Sequence, residues 1–265
     1  MTSGPAGTLA AGACFLLATV AHARRWGIGS WLGAAGAAIL AGTLAAQGLR
    51  AGHWPLASEY EVALAFALGT ALAGLALSAG RDWPEPTEGD HTVQAVTAAL
   101  AAALVAYARF GLPAFKRAIQ PLPPALDSAW FPLHVGAAAL GYGALAMAGA
   151  AGLVWLVREA ARPGAEQLMD RSVGAGYPLL TLSMLLGIVW AQAAWGRYWS
   201  WDLKETWTLI TWLIYTLYWH LRRRPGWRGH RLAWLALAGL GAVLFTFLGV
   251  GWLARAVGLE SLHLF

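Results

Sequence analysis

Cysteine and charged residues are both scarce in this chain of 265 residues. Its one cysteine, Cys14, excludes an intramolecular disulfide framework, a Cys-x-x-Cys redox pair and a cysteine-rich zinc site. Charged residues make up 12% of the sequence, whereas soluble proteins average about 25%. Hydrophobic residues make up 58%. This balance excludes a disordered chain, a nucleic-acid-binding arm and an ordinary globular enzyme, and it is typical of a membrane protein.

Uncharged stretches that are long enough to cross a bilayer recur along the whole chain. A hydrocarbon core of about 30 Å takes roughly 20 helical residues, and the shorter stretches reach that length with flanking residues. We therefore predict an all-α, polytopic integral membrane protein, with about eight transmembrane helices that form a single domain over residues 1–265. The predicted spans are 6–23, 26–49, 62–80, 92–108, 128–157, 172–196, 206–221 and 232–254.

The basic residues predict which side of the membrane each loop occupies. Arg24 and Arg25 directly follow the first span, and no basic residue precedes it, so it differs from a signal peptide and is expected to stay attached. The segment 222–231 holds five arginines between two later spans. Loops rich in arginine and lysine stay in the cytoplasm, so we place both termini on the outer side of the cytoplasmic (inner) membrane. This orientation, rather than an anionic partner, accounts for the net charge of +5.

Tryptophan is abundant, and nine of the 16 tryptophans lie in the range from Trp190 to Trp234. In the densest part, residues 195–207, which we call the tryptophan segment, indoles alternate with charged side chains. An aromatic belt at the membrane interface is one interpretation. The mixture favours another, a shallow site for a large flat ligand, because rings stack on an apolar face and basic groups bind carboxylates. The candidate residues are Trp195, Arg197, Trp199, Trp201, Asp202, Lys204 and Trp207.

The tryptophan segment resembles the WWD signature of heme-handling membrane proteins. Its ending, Trp-Asp-x-Lys-Glu at residues 201–205, is most similar to the CcsA/ResC branch of cytochrome c biogenesis proteins. Leu203 departs from that pattern, since the branch usually has proline there. The resemblance extends over residues 50–265, whereas the first fifty residues add only hydrophobicity.

Other regions support the same resemblance. Residues 55–61 are similar to the Pro-x-x-x-x-Tyr-Glu sequence with which a helix of the family begins. Residues 248–250 and 262–263 are similar to the family's C-terminal Leu-Gly-Val and Leu-His-Ser-Tyr. Leu264 and Phe265 stand in place of the usual Ser-Tyr.

The resemblance implies roles for several histidines, since imidazole is a common axial ligand of heme iron. His134 and His263 match the family's two external ligands, which hold the iron from both sides at the outer surface. His220, followed by Arg222, matches the His-x-Arg after the signature. A helix from the tryptophan segment to His220 covers about 27 Å of depth, so His220 serves a second, inner location. His22, at the same predicted depth, is a candidate partner for His220, as is a ligand from another subunit.

Each of these residues also has a structural interpretation. His134 fits a hydrogen-bonded core residue, and His220 fits an interfacial side chain beside the arginine cluster. Arg197 and Lys204 are suited to heme propionates, but they are equally suited to the headgroups of the membrane lipid. A lipid contact would leave the tryptophan segment as an interfacial belt.

The resemblance implies the membrane component of a cytochrome c synthase, or heme lyase. Such a protein holds heme b, with bis-histidine ligated iron, at the outer face and presents it for thioether attachment to the Cys-x-x-Cys-His motif of apocytochrome c. The implied partners are a CcsB/ResB-like membrane subunit, thioredoxin-like thiol reductants and the apocytochrome. No catalytic side chain is assigned, because positioning and the exclusion of competing chemistry would supply catalysis.

Two alternatives to the heme lyase stay open. One is a heme transporter of the CcmC type, which delivers heme to a chaperone without ligase activity. Lys204 with Glu205, and eight rather than six spans, argue against it. The other is a membrane scaffold whose tryptophans form only an interfacial belt. Bound heme would exclude the scaffold, and covalent attachment would exclude the transporter.

Overall fold

The computed structural model describes residues 5–78 and 87–258, and the fold is given for these two ranges. Their regular elements are all helical, which confirms the predicted all-α class. The helices are α1 (Pro5–Ala23), α2 (Gly29–Ala51), α3 (Glu59–Ser78), α4 (Glu88–Ala106), α5 (Trp130–Val157), α6 (Arg162–Trp195), α7 (Leu203–Leu221), α8 (His230–Leu244) and α9 (Val250–Val257).

Seven helical segments in the described ranges are long and apolar enough to cross a membrane: α1 to α6, and α8 with its extension to Ala254. The eighth predicted span corresponds to α7. This helix has 19 residues, but Lys204 and Glu205 lie in its first turn and its threonines lower the hydropathy. Because α7 packs against α6 and α8, it lies among the spanning helices. The polytopic membrane fold is confirmed, and the outward orientation of the termini stays a prediction.

The central helix of the bundle is α5, which contacts α3, α4, α6 and α8. It is rich in alanine and glycine, and small residues let helix backbones approach closely within a membrane. A Cβ atom on Gly143 would lie 2.2 Å from the carbonyl carbon of Gly69, and one on Gly69 would lie 2.3 Å from the carbonyl oxygen of Ala139. The backbones of α3 and α5 therefore touch, which fixes the relative positions of these two helices.

Irregular structure gathers at one end of the bundle. There α4 and α8 pass into π-helical turns at Tyr107–Gly111 and Phe245–Gly249. Such turns widen a helix locally and are frequent at functional sites. The proline-rich segment after α4 forms short 3-10 turns at Ala114–Arg117 and Pro124–Leu126. In the predicted topology this is the outer end of the protein.

Candidate heme-binding cavity

A cavity of about 510 Å³ lies at this end of the bundle. The first turns of α3, α5 and α7 and the last part of α6 form much of its wall. The π turns that follow α4 and α8, the start of α9, the 3-10 turn with Lys116, the residues before α3 and the turn between α6 and α7 form the rest. Helices that are far apart in sequence therefore meet around one space. Most of the lining is apolar or aromatic, and the polar lining includes His134, Lys204, Glu59 and Lys116.

His134 lies one turn into α5 and is held by α6. Its Nδ1 is 2.8 Å from the carbonyl oxygen of Ser183, and the Ser183 hydroxyl donates to the carbonyl oxygen of His134 at 3.0 Å. A carbonyl only accepts, so Nδ1 carries the proton and the lone pair of the imidazole is on Nε2. An N–H held by a backbone carbonyl in this way is the usual arrangement of a histidine that ligates a metal.

A stack of aromatic rings supports His134. The indole of Trp190 lies nearly parallel to the imidazole, at 5.7 Å between centroids and 16° between planes. Trp190 is buried, and its Nε1 donates to the carbonyl oxygen of Ala125 at 2.8 Å. The ring of Trp195 meets Trp190 edge-on at 4.6 Å. Trp195 is not among the residues that line the cavity, and it contacts the ring that supports His134.

The tryptophan segment forms the turn between α6 and α7. Gly196, with φ of 71°, ends α6 in a left-handed conformation, and Asp202 begins α7 as its N-cap. The Asp202 carboxylate accepts from the Glu205 amide at 2.8 Å, and the Glu205 carboxylate accepts from the Ser200 amide at 2.8 Å. Asp202 therefore has a structural role as a helix cap.

This turn brings only part of the predicted residue set to the cavity. Trp199 and Lys204 line it, together with Tyr198 and Glu205. The indole N–H of Trp199 is buried and has no hydrogen-bond partner among the described residues. Three predicted residues lie elsewhere: Arg197 is exposed, Trp201 is 70% exposed and Trp207 packs against Phe245 at 4.2 Å. Roles for these three and for Trp195 and Asp202 in ligand binding stay predictions.

A polar cluster in the cavity wall joins Glu59 to partners that the sequence did not predict. The Glu59 carboxylate at the start of α3 accepts from the Tyr107 hydroxyl and forms an ion pair with Lys116. The only sequence signal was the family pattern around Glu59, because Lys116 lies 57 positions further along a proline-rich segment. Glu61, in contrast, accepts from the backbone amides of Ala57 and Ser58 and closes the turn before α3.

The other predicted histidines lie away from this cavity or outside the described residues. His263 lies outside the described ranges. His220 is exposed at the far end of α7, with Nδ1 2.8 Å from the carbonyl oxygen of Thr216. His22 is buried at the end of α1, and its ring lies 6.1 Å from that of His91. The pairing of His22 with His220 stays a prediction.

The sequence profile of the cytochrome C assembly protein family matches residues 59–257, which include the whole cavity wall except residues 56–58. The chain belongs to the cytochrome c assembly protein family. This member is 34% identical over 291 residues to the cytochrome c biogenesis protein CcsA of Synechococcus elongatus, with 87% of this chain and 86% of that protein covered. It is 31% identical to the protein of the same name from Gloeothece citriformis, with 87% of each covered. The CcsA protein of Guillardia theta is also 31% identical, with 82% of this chain and 79% of that protein covered. The predicted resemblance is thereby confirmed.

Proposed function

We propose that this chain works in cytochrome c biogenesis as the membrane component of a heme lyase, and that it binds heme b in the 510 Å³ cavity. The observation that carries the proposal is the hydrogen bonding, stacking and position of the His134 imidazole. Its Nδ1 donates to Ser183, its ring stacks on Trp190 and it lines the cavity, so Nε2 is the nitrogen suited to bind iron.

The rest of the wall suits the other parts of a heme. Phe66, Phe131 and Trp199 offer apolar and aromatic surface to a flat macrocycle. The Trp199 N–H gains a hydrogen-bond partner if a ligand carboxylate occupies the cavity. Lys204 and Lys116 line the same space, where Lys116 forms an ion pair with Glu59 and Lys204 is attracted to Asp202 and Glu59. We assign Lys204 to a heme propionate, because an ammonium group in the cavity wall can form a charge-assisted hydrogen bond with a carboxylate.

His263 is proposed as the second iron ligand, as the family resemblance implies. Leu248, just before α9, and Val250, its first residue, line the cavity, and α9 continues to Val257. A helix of this length advances about 12 Å. The next six residues reach at most about 21 Å when extended, which is enough for the chain to return from the end of α9 to the cavity.

Positioning is the proposed catalytic contribution of this chain. In thioether formation each thiol of the Cys-x-x-Cys-His motif adds across a vinyl group, so that a carbon–sulfur bond forms and the thiol proton ends on the adjacent vinyl carbon. His134 and Lys204 would hold the heme at fixed points while the aromatic wall excludes water. The proposed partners are apocytochrome c, a CcsB/ResB-like membrane subunit that completes the synthase in the cytoplasmic membrane, and thioredoxin-like proteins that keep the substrate thiols reduced.

The test is the absorption spectrum of the full chain purified in detergent, with His134→Gly compared with His53→Gly. His53 lies before α3 and is not among the residues that line the cavity, so it is a matched control. We expect wild type and His53→Gly to retain heme, and His134→Gly to lose most of it or to recover it with added imidazole. Wild-type protein without heme, or equal retention by the two variants, would overturn the proposal.

Ligase activity needs a second experiment. The chain is co-expressed with a Cys-x-x-Cys-His reporter, with and without a CcsB-like subunit, and covalent heme is stained after denaturing electrophoresis. Attachment that requires this chain supports the lyase. Heme bound to the chain with an unmodified reporter in both conditions would instead support the transporter.

A further inference from the structure

A second cavity, of about 230 Å³, lies at the opposite end of the bundle. We call it the inner pocket and define it by His22, Arg25, Glu88, His91 and Arg158. His91 and the heme-binding cavity occupy opposite ends of α4, which are separated by about 24 Å of helix. The inner pocket is therefore separate from the proposed heme site, and in the predicted topology it faces the cytoplasmic leaflet.

His22 forms the buried base of the inner pocket. Its side chain is 6% exposed, and its Nδ1 has no hydrogen-bond partner among the described residues. The ring is confined by the backbone of Gly29, where an added Cβ would lie 2.9 Å from it, and by His91 at 6.1 Å. A buried polar nitrogen without a partner is costly to the folded state, so its presence beside a cavity indicates that a ligand completes the site.

The rim of the inner pocket carries an excess of positive charge. Arg25 is 2.7 Å and Arg158 3.9 Å from the same Glu88 carboxylate. One carboxylate offsets only one guanidinium, so the lining of the pocket, as far as the structure describes it, keeps a net positive charge even with neutral imidazoles. Arg25 also has a φ of 60°, a left-handed conformation that side-chain-bearing residues rarely adopt, and its amide donates to the carbonyl oxygen of His22. Through this turn, Arg25 and His22 both line the inner pocket.

We infer that the inner pocket binds a phosphate group. The net positive charge disfavours a metal ion. The donors come from the end of α1, the start of α4 and the residue after α5, so they approach from several directions. Phosphate accepts on several oxygens in a tetrahedral arrangement, whereas a carboxylate accepts in one plane. Basic pockets between transmembrane helices on the cytoplasmic side are suited to lipid phosphates, and free inorganic phosphate offers the same chemistry.

The experiment measures binding by the full chain in neutral detergent. One arm adds inorganic phosphate, a second adds mixed micelles that contain phosphatidylglycerol and a third adds micelles that contain phosphatidylcholine alone. Native mass spectrometry counts the molecules retained, and tryptophan fluorescence follows thermal unfolding. The variants are Arg158→Gln, His91→Phe, which keeps a ring against His22, and Arg24→Gln, a control beside the pocket and outside its lining.

We expect Arg158→Gln to weaken binding about tenfold, the loss appropriate to one charge-assisted hydrogen bond, and His91→Phe to weaken it several-fold. Arg24→Gln should match wild type. Retention of a lipid in the second or third arm identifies a headgroup as the source, and saturation by inorganic phosphate identifies the free ion. Absence of binding in all arms, or equal losses in Arg158→Gln and Arg24→Gln, would overturn the inference. Because heme is not used, this result is independent of the proposed lyase function.

Discussion

A methyl group added at Gly187 gives the sharpest test of the role of His134. In the Gly187→Ala variant the new Cβ would lie 2.8 Å from Nδ1 and Cε1 of the imidazole, whereas ordinary contacts begin at 3.4 Å. The ring must therefore move by about 0.6 Å, which exceeds the roughly 0.2 Å tolerance of metal–ligand distances. Trp190 on the stacked face and the hydrogen bond to Ser183 resist this movement.

When heme binds, the imidazole must return to its original position against the new methyl group. Overpacking of this kind costs about 1–3 kcal/mol of binding free energy, which corresponds to roughly a 5- to 150-fold loss of heme affinity. The assay is heme titration of the purified chain followed at its main absorption band, with circular dichroism to check helix content. Gly136→Ala is the matched control, because Gly136 lies two residues after His134 and an added Cβ there meets nothing within 4 Å. If Gly187→Ala and Gly136→Ala bind heme equally well, the reasoning that places the iron on His134 is wrong.

Three further substitutions separate ligand binding from support of the fold. Lys204→Gln should weaken heme binding about tenfold in the same titration, with Lys204→Arg retaining most of it; equal affinities for all forms would refute the propionate assignment. Trp190→Leu should cost about 3 kcal/mol, lower the thermal midpoint and broaden the heme spectrum, whereas exposed Trp252→Leu should do neither. Asp202→Ala should cost about 1 kcal/mol of unfolding free energy because it removes a helix cap, and Asp202→Asn should restore it; if Asn is no better than Ala, the capping role is incorrect.

The fold was predictable because its main signal is local. A helix in lipid excludes charge, so stretches without charged residues mark the spans directly. Where a helix extends beyond the lipid, the absence of charge no longer marks its end. α6 begins at Arg162, ten residues before the predicted start at 172, because its first three turns contain charged residues and extend beyond the apolar span. Hydropathy also has no means to show that the last span contains a π turn at Phe245–Gly249.

The candidate site was predictable only where one residue matched a family position. His134 and Lys204 were found in that way, and both line the cavity. Trp199 and Trp201 are equivalent in the sequence pattern, but Trp201 has a φ of 57° and is 70% exposed, whereas Trp199 lines the cavity. The sequence pattern does not contain this difference in backbone conformation and exposure. The ion pair of Lys116 with Glu59 depends on a tertiary contact that no local pattern contains.

The backbone contact between α3 and α5 also determines how a large ligand can enter and leave. Because the backbones of α3 and α5 touch at Gly69 and Gly143, the part of the cavity wall that these two helices form cannot open without breaking this close packing. A second part of the wall is built from the short turn between α6 and α7 and from α9, which has eight residues. Loading and release are therefore expected to proceed by movement of this second part, with the first acting as a fixed frame.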